Sequence, residues 1–318
     1  MILSASRRTD IPNYYFDWFC NRLREGYLYV RNPMNERQVS HIDLSPEVVD
    51  CIVFWTKNPR GMPERLSALR DYSYYVQFTL TGYGRDVEPG LPDKPTVLLK
   101  TFQDLSRAIG AARVVWRYDP ILFTPSYTPA YHVRAFEKIA EALEGYTKRV
   151  VISFVDLYAK IQKNMAGLQV QELPEEELLQ FAERLAAIAE KHRLVIETCA
   201  EAFDLEAAGI RHGSCIDARL IEEITGCRIR AGKDKNQRKE CGCIESVEVG
   251  TYNTCRNGCR YCYANFSETA VKNRSGVYDP YSPFLCGVSN PDDKLTVRKM
   301  KSLLDGQIGL FDGREENG

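Results

Sequence analysis

Several common active-site patterns are missing from this 318-residue sequence. Histidine occurs only four times, and no two histidines form the H-x-H pair that metal-dependent barrel hydrolases use. A G-x-S-x-G nucleophile elbow is also lacking, which argues against serine-hydrolase chemistry. A hydrolytic enzyme is therefore not the expected class. His132 and His192 fall in predicted helices, and we interpret them as surface or helix-end residues.

Long apolar runs are missing as well. No stretch of about 18 apolar residues could span a membrane, and residues 1–10 lack the apolar segment of a signal peptide. We therefore expect a cytoplasmic protein without a membrane partner. The formal net charge of −1 gives no global attraction to nucleic acid. In a reducing compartment the 11 cysteines are poor material for disulfides, and their concentration from Cys199 onward favours metal binding.

Apolar segments alternate with segments of helical period along the chain. This alternation predicts an α/β protein with a parallel sheet. Because no Rossmann glycine signature is present, a single (β/α) barrel, full or partial, is favoured. The predicted strands are residues 2–6, 27–30, 50–56, 74–80, 113–118, 149–155, 194–198 and 247–251, and the predicted helices are residues 13–25, 62–69, 102–109, 130–143 and 174–192.

The chain divides into two predicted segments. We expect residues 1–200 to form the parallel β/α barrel body. Residues 201–318 should form a cysteine-rich segment that carries auxiliary ligands, the last barrel strand, a three-cysteine loop and a C-terminal tail.

The three-cysteine loop is the most informative motif. Cys255, Cys259 and Cys262 have the spacing C-x3-C-x2-C and can supply three of the four ligands of a cubane iron–sulfur cluster. Structural zinc sites and structural clusters take all four ligands from the protein, so one iron here would be open to a small molecule. Gly258 tolerates the positive φ that a loop around a cluster requires. A zinc knuckle or three buried thiols are the alternatives.

With Tyr261 directly before the third cysteine, the loop resembles the cluster motif of the radical S-adenosylmethionine (SAM) superfamily. The resemblance implies a [4Fe–4S] cluster on the three cysteines that binds SAM, with Tyr261 and Tyr263 beside the cofactor. It also implies reductive cleavage of SAM, which starts radical chemistry on an unknown substrate. A reductant such as flavodoxin or ferredoxin would be a partner.

The position of the loop departs from the usual superfamily layout, in which the motif follows the first strand. Here it follows the last predicted strand, so we expect a barrel that is circularly permuted relative to usual radical SAM barrels. No Gly-Gly-Glu segment is present to identify the SAM-binding residues. The whole chain also resembles an uncharacterised family that carries such a cysteine cluster near its C-terminus. The segments that carry this resemblance are residues 6–10, 54–59, 116–120, 233–238 and the three-cysteine loop.

Charged residues follow the predicted strands at the positions where barrel enzymes place their chemistry. Cations beside carboxylates suit a zwitterionic ligand such as SAM. The candidate catalytic residues are Arg7, Arg8, Asp10, Lys57, Arg117, Asp119 and Glu201.

A second candidate metal site consists of Cys199, Cys215, Cys241 and Cys243. Four thiolates complete the ligand set of a cubane, so we predict an auxiliary [4Fe–4S] cluster. Structural zinc and unligated thiols are the alternatives. The remaining candidates are Cys20 and Cys51 as core thiols, Cys227 and Cys286 as spare ligands, and His212 as a reserve ligand.

Two rival functions stay open. One is a two-cluster electron-transfer protein, and the other is a zinc-stabilised nucleic-acid-binding module that uses the basic residues between Arg228 and Lys239. After a predicted helix at residues 292–304, the tail residues Gln307, Leu310 and Phe311 resemble the Q-x-x-L-F peptide that binds sliding clamps. Docking of this tail on its own barrel is the alternative.

Overall fold

The computed structural model describes residues 1–305, which form a large sheet, a small sheet and eight α-helices. The strands are β1 (Ile2–Ala5), β2 (Tyr27–Asn32), β3 (Asn35–Asp43), β4 (Cys51–Thr56), β5 (Tyr74–Thr79), β6 (Val114–Ile121), β7 (Arg149–Phe154), β8 (Val195–Cys199), β9 (Arg211–Gly213), β10 (Val247–Glu248) and β11 (Lys294–Val297). The helices are α1 (Ile11–Tyr14), α2 (Phe16–Glu25), α3 (Leu99–Ile109), α4 (Pro129–Ala142), α5 (Gln162–Met165), α6 (Glu175–Lys191), α7 (Ala218–Thr225) and α8 (Glu268–Gly276).

The large sheet contains eight strands in the order β10-β1-β4-β5-β6-β7-β8-β9, and all neighbouring strands are parallel. The α/β class predicted from the sequence is therefore confirmed. Strand β10 lies beside β1, since Leu3 pairs with Val247 and Ser4 with Glu248. The loops that follow these two strands consequently leave the same edge of the sheet side by side.

Both faces of the large sheet are buried, which explains why its strands are almost continuously apolar. On one face, alternate residues such as Ile52 and Trp116 pack in a core with Phe102 of α3 and Phe136 of α4. The other face carries a second core, and the cysteine-rich segment packs there. That second core includes Ile2, Val53, Tyr75, Val115 and Val151 from five strands, together with Cys215, Ile216, Cys241 and Cys243.

One predicted strand of the barrel lies elsewhere. Residues 27–30 belong to β2, which pairs antiparallel with β3 in a separate three-stranded sheet of order β11-β3-β2. A tight connection between Asn32 and Asn35 turns the chain back on itself, so β2 pairs with its own neighbour instead of entering the parallel sheet. In the large sheet β1 therefore pairs directly with β4, and the eighth strand is β9, a three-residue strand at the edge beside β8 that was not predicted from the sequence.

Two predicted helices were also wrong. Residues 63–69 form a 3₁₀ segment that Arg65 interrupts with non-helical angles. Residues 292–304 contain β11, whose β-branched Thr296 and Val297 pair with Ser40 and His41 of β3. The clamp-like tail from Gln307 to Phe311 lies outside the described residues. Within residues 1–305, no helix combines the length and the apolar character that a membrane crossing requires.

His132 is not a surface residue as its helical position suggested. Its side chain is fully buried on α4, where Nδ1 lies 2.8 Å from the Tyr118 hydroxyl and Nε2 lies 3.0 Å from the Leu122 carbonyl. Burial lowers the pKa of His132 to about 4. The imidazole is therefore held neutral at physiological pH. His192 is buried too, at the C-terminal end of α6 beside Glu144.

The low pKa of His132 predicts a specific acid sensitivity. The group binds a proton more readily in the unfolded chain, so its contribution to stability is present above pH 6.5 and is lost as the pH falls toward 4. Between pH 7.5 and pH 5 we expect the free energy of unfolding to fall by about 2 kcal/mol more in the wild type than in His132→Gln. Urea denaturation at the two pH values measures this difference, and equal losses in both proteins would contradict it.

Candidate functional site

A cavity of about 410 Å³ opens at the carboxyl ends of the parallel strands. This volume is within the range of small-molecule sites. The candidate catalytic residues except Glu201, the seven predicted cluster cysteines and the two tyrosines beside the proposed cofactor all line it, although they come from distant parts of the chain. These residues are Arg7, Arg8, Asp10, Lys57, Arg117, Asp119, Cys199, Cys215, Cys241, Cys243, Cys255, Cys259, Tyr261, Cys262 and Tyr263.

The three-cysteine loop follows β10 and is fixed from two sides near its midpoint. Asn257 accepts a 2.7 Å hydrogen bond from the Tyr14 hydroxyl, and its amide donates to Asp10 Oδ2 at 3.1 Å. On the other side, Gly90 N donates to the Asn257 carbonyl at 2.9 Å. A side chain at Gly90 would meet that carbonyl at 2.6 Å, so only glycine permits this approach.

Further contacts determine the path of the loop around its cysteines. The Asn265 side chain accepts hydrogen bonds from the amides of Thr254 and Cys255, both at 2.8 Å. Gly258 has a φ of +66°, as the sequence predicted for a loop that must fold back on itself. All three cysteines consequently face the cavity.

The thiols of this loop lie in poorly solvated surroundings. Burial is the main cause that raises the pKa of Cys255 well above its ordinary value and that of Cys259 to about 12. Desolvation disfavours a bare thiolate, which a positively charged metal would stabilise. Cys255 and Cys259 are therefore neutral thiols until a cation reaches them.

The four cysteines of the second predicted site lie together in space. Cys199 ends β8, Cys215 follows β9, and Cys241 and Cys243 precede β10. The sulfur atoms of Cys199 and Cys215 are 2.8 Å apart, Cys215 contacts Cys243, and Cys243 contacts Cys241. The Cys243 sulfur also accepts a 3.3 Å hydrogen bond from Ile216 N. The sheet thus gathers four thiols whose positions span 45 residues of sequence, from 199 to 243.

The cysteines do not have the spacing of a ready zinc site. Sulfur ligands of one tetrahedral zinc stand about 3.8 Å apart, given a zinc–sulfur distance of about 2.3 Å. Cys199 and Cys215 are closer than this. In the part of the chain that the structure describes, no group of three or more His, Cys, Asp or Glu side chains could hold a single metal ion as arranged. A cubane needs still wider sulfur spacing than one ion, because each cysteine binds a different iron, so Cys199 and Cys215 would have to move apart to hold either group.

Two arginines lie beside the four-cysteine group. Arg117 Nη1 is 2.9 Å from the Cys215 sulfur, and Arg7 hydrogen-bonds to Cys243 while its guanidinium covers the Trp55 ring at 5.1 Å. Arg117 also pairs with Asp119, whereas Arg7 Nη2 is buried without a hydrogen-bond partner among the described residues. An unsatisfied buried guanidinium nitrogen is costly. Its position next to four thiols favours an anionic group at this place.

Lys57 is not the free cation that its sequence position suggested. Its Nζ donates to Glu88 Oε1 at 2.8 Å and to the Tyr261 hydroxyl at 2.7 Å. Lys94 binds the other oxygen of Glu88, so one buried carboxylate lies between two lysines, near enough to Cys259 to influence the pKa of its thiol. Burial alone would raise the pKa of Glu88, but the charges of Lys57 and Lys94 lower this pKa to about 2. Lys57 therefore belongs to a buried charge network.

This network predicts a large loss of stability in Glu88→Gln. Removing the carboxylate leaves two lysines without a counter-charge, and breaking a buried ion pair costs about 3–5 kcal/mol. Urea denaturation of the variant and the wild type measures the loss. Glu137→Gln is the matched control, because it removes a carboxylate from an exposed pair with Lys191 and should leave stability nearly unchanged. Equal stability of the two variants would contradict the role of Glu88.

All three predicted catalytic carboxylates are also engaged in hydrogen bonds of the fold. Asp10 caps α1 by accepting from Asn13 N, and its other oxygen accepts from Lys57 N at 2.9 Å. Asp119 accepts from Arg117 Nε at 2.9 Å and from Ser153. Glu201 lies outside the cavity lining and accepts from Phe154 N, and burial raises its pKa to about 7. Of the predicted cations, Arg7 and Arg8 thus remain the ones without a carboxylate partner in residues 1–305.

The sequence reading missed several residues that shape the site. Glu88 and Gly90 lie in the loop after β5, and Lys94 begins the π-helical turn Lys94–Leu98 that precedes α3. The glycines and prolines around them indicate a turn but no site. Residues 236–238 of the basic run line the cavity, and Arg238 pairs with Asp156. The spare ligands Cys227 and Cys286 and the reserve ligand His212 do not line it. Cys20 and Cys51 are buried core thiols as predicted.

Fold and site together define a class of protein, an α/β domain with a cysteine-lined cavity at the carboxyl edge of its parallel sheet. The model of the family described as "Domain of unknown function (DUF1848)" matches residues 2–264, and the chain belongs to this family. The match includes all seven cysteines of the cavity. Membership of an uncharacterised family that spans nearly the whole chain was predicted and is confirmed. A comparison with curated proteins found no match.

Proposed function

We propose that the protein is an iron–sulfur enzyme of the radical SAM type. The observation that carries this proposal is the meeting of two cysteine groups on one cavity: three cysteines in a loop of C-x3-C-x2-C spacing, and four others opposite them. The three would hold a [4Fe–4S] cluster with one iron open to SAM, and the four would hold an auxiliary [4Fe–4S] cluster.

The fold supports the same proposal. The strands of the large sheet lie side by side in the order in which they occur in the chain, except that β10 lies before β1. A barrel that begins with β10 would carry the three-cysteine loop after its first strand, as in the usual superfamily layout. We therefore propose a (β/α) barrel that is circularly permuted in this chain. In this barrel β1 would be the second strand, and the segment after β1 would be the loop that follows the second strand.

The residues around the cysteines fit anionic clusters. The half-buried Arg7 and the buried Arg117 would balance the charge of four thiolates, and the Nη2 atom of Arg7, which has no hydrogen-bond partner among residues 1–305, would gain one there. Lys57 and Lys94 would act in the same way on Cys259. When bound, a reduced cluster with SAM supplies one-electron cleavage of a carbon–sulfur bond.

The chain itself would bind and shield the reactants. Arg8 lines the cavity and has no carboxylate partner in the described part of the chain, so it is suited to the carboxylate of SAM. The rings of Trp55, Tyr261 and Tyr263 line the cavity and would exclude water from a reactive intermediate. The side chains of residues 236–238 cover the same opening.

Anaerobic purification followed by iron, sulfide and zinc analysis tests the metal assignment. We expect about eight irons and eight sulfides per chain, as two cubanes require. Addition of SAM and dithionite should then release 5′-deoxyadenosine. Stoichiometric zinc without sulfide would instead indicate a structural zinc protein, and a redox-active iron protein that leaves SAM intact would be an electron carrier.

A further inference from the structure

A second cavity of about 470 Å³ adjoins the first on the outer side of the three-cysteine loop. Its walls come from the β2–β3 hairpin, from residues 250–253 before the first loop cysteine, and from Phe266 after the last one. Arg8 lines both cavities. We call this second cavity the outer groove. A long ligand could therefore occupy both cavities at once.

The outer groove is positively charged although the chain as a whole is not. Arg8, Arg31, Lys160 and Arg274 line it, against the single carboxylate of Glu36. Arg31 is neutralised by a bidentate pair with Asp293. Arg274 forms a long ion pair of 3.7 Å with Glu36, and because both side chains are exposed this pair holds the cation only weakly. Arg8 and Lys160 have no carboxylate partner within residues 1–305. Three cations are thus available to an anionic ligand.

Exposed aromatic rings connect the groove to the first cavity. Tyr158, Tyr263 and Phe266 keep 40%, 42% and 37% of their surfaces exposed. Tyr158 and Tyr263 have ring centroids 5.9 Å apart, and the Lys160 ammonium lies 5.6 Å from the Phe266 ring centre. Flat rings beside cations form the platform on which unpaired bases stack while phosphates contact the charges.

We propose that this surface binds single-stranded nucleic acid. Phosphates would lie on Arg8, Lys160 and Arg274, and bases would stack on the exposed rings, so that one unpaired base can reach the first cavity. The inference rests on the proposed function for the chemistry at that base, but the binding itself requires neither SAM nor radical chemistry. An acidic peptide would match the cations and leave the rings without a role.

Fluorescence anisotropy with 5′-fluorescein-labelled (dT)12 and (rU)12 tests the proposal on the full chain, purified anaerobically with its metal. We expect saturable binding. A plot of log Kd against the logarithm of the salt concentration should have a slope of about 2, because each phosphate of a single strand that a cation neutralises contributes about 0.7 and the groove offers three cations. The affinity should therefore fall about 15-fold between 50 and 200 mM salt.

Two variants separate the charges from the rings. Lys160→Ala/Arg274→Ala should weaken binding at least tenfold and reduce the salt slope to below about 1. Phe266→Ala should weaken binding about fivefold or more without changing the slope, because it removes stacking only. Arg134→Ala/Lys138→Ala on α4 is the matched control with the same charge change, and it should bind as the wild type does. Thermal melting checks that all variants are folded.

Each possible result bears on the proposal. No saturable binding of either oligonucleotide would overturn it, as would equal loss of affinity in the groove variant and the α4 control. Heparin carries the charge without bases, so unchanged heparin affinity in Phe266→Ala supports base stacking. Equal loss for heparin and oligonucleotide would reject it. Nucleic-acid binding without SAM cleavage would refute the proposed enzyme and leave this inference standing.

Discussion

Replacing any one of Cys255, Cys259 and Cys262 with Ala should reduce the release of 5′-deoxyadenosine from SAM to the level seen without protein. Each side chain is expected to bind one of three irons, and two thiolates cannot hold a cubane with a defined open site. The assay is chromatographic detection of 5′-deoxyadenosine after anaerobic incubation with SAM and dithionite.

Cys20→Ala is the matched control for this experiment. Its thiol is buried on α2 and does not line the cavity, so its loss should leave the cleavage rate near that of the wild type. A loop variant that cleaves SAM at the wild-type rate would contradict the proposal that these three cysteines hold the SAM-binding cluster.

The double variant Cys241→Ala/Cys243→Ala should lose half of its iron, from about eight to about four per chain, with a matching loss of sulfide. The remaining cluster should still bind SAM, because the three-cysteine loop is intact. The four-cysteine group lies directly beside Arg117 and Arg7, so the loss is expected to be confined to that end of the cavity. Iron and sulfide analysis of the anaerobically purified protein gives the answer.

Cys227→Ala/Cys286→Ala removes two thiols that lie outside the cavity and should keep the full iron content. Full iron in the first double variant, or a loss of iron in the second, would show that the auxiliary ligands are wrongly assigned. Zinc found at one per chain, and lost with Cys241 and Cys243, would point to a structural zinc site instead.

The sheet could be predicted because its strands are buried on both faces. The centres of strands such as β4 and β7 are runs of consecutive buried apolar residues, as a parallel sheet covered on both sides requires. Residues 27–30 also favour a strand, but they pair with β3, the next strand of the chain. This pairing depends on the turn between Asn32 and Asn35, which the strand residues themselves do not reveal. Strand β9 has only three residues, of which Arg211 and His212 are exposed, so no periodic signal marks it.

The location of the site could be predicted because it depends only on which residues follow the parallel strands. Residues at the carboxyl ends of parallel strands must meet at one edge, and most of the candidates do line one cavity. Their charge state could not be predicted, since it depends on partners from other loops. Lys57 follows β4 as expected, yet Glu88, which neutralises it, lies 31 residues further along the chain. Likewise, no local pattern shows that His132 is enclosed by Tyr118 and Leu122.

The pairing of β1 with β10 affects how the protein folds while it is being synthesised. Ser4 and its partner Glu248 are 244 residues apart, and a ribosome that adds about 5–20 residues per second needs roughly 10–50 seconds to proceed from one to the other. Throughout that time one edge of β1 has no strand to pair with, and an unpaired edge invites contact with other chains. Any metal held by the loop after β10 would have to be delivered after translation of that segment. If the proposed clusters are present, maturation of this protein should therefore depend on protection of the nascent chain until the metal is delivered.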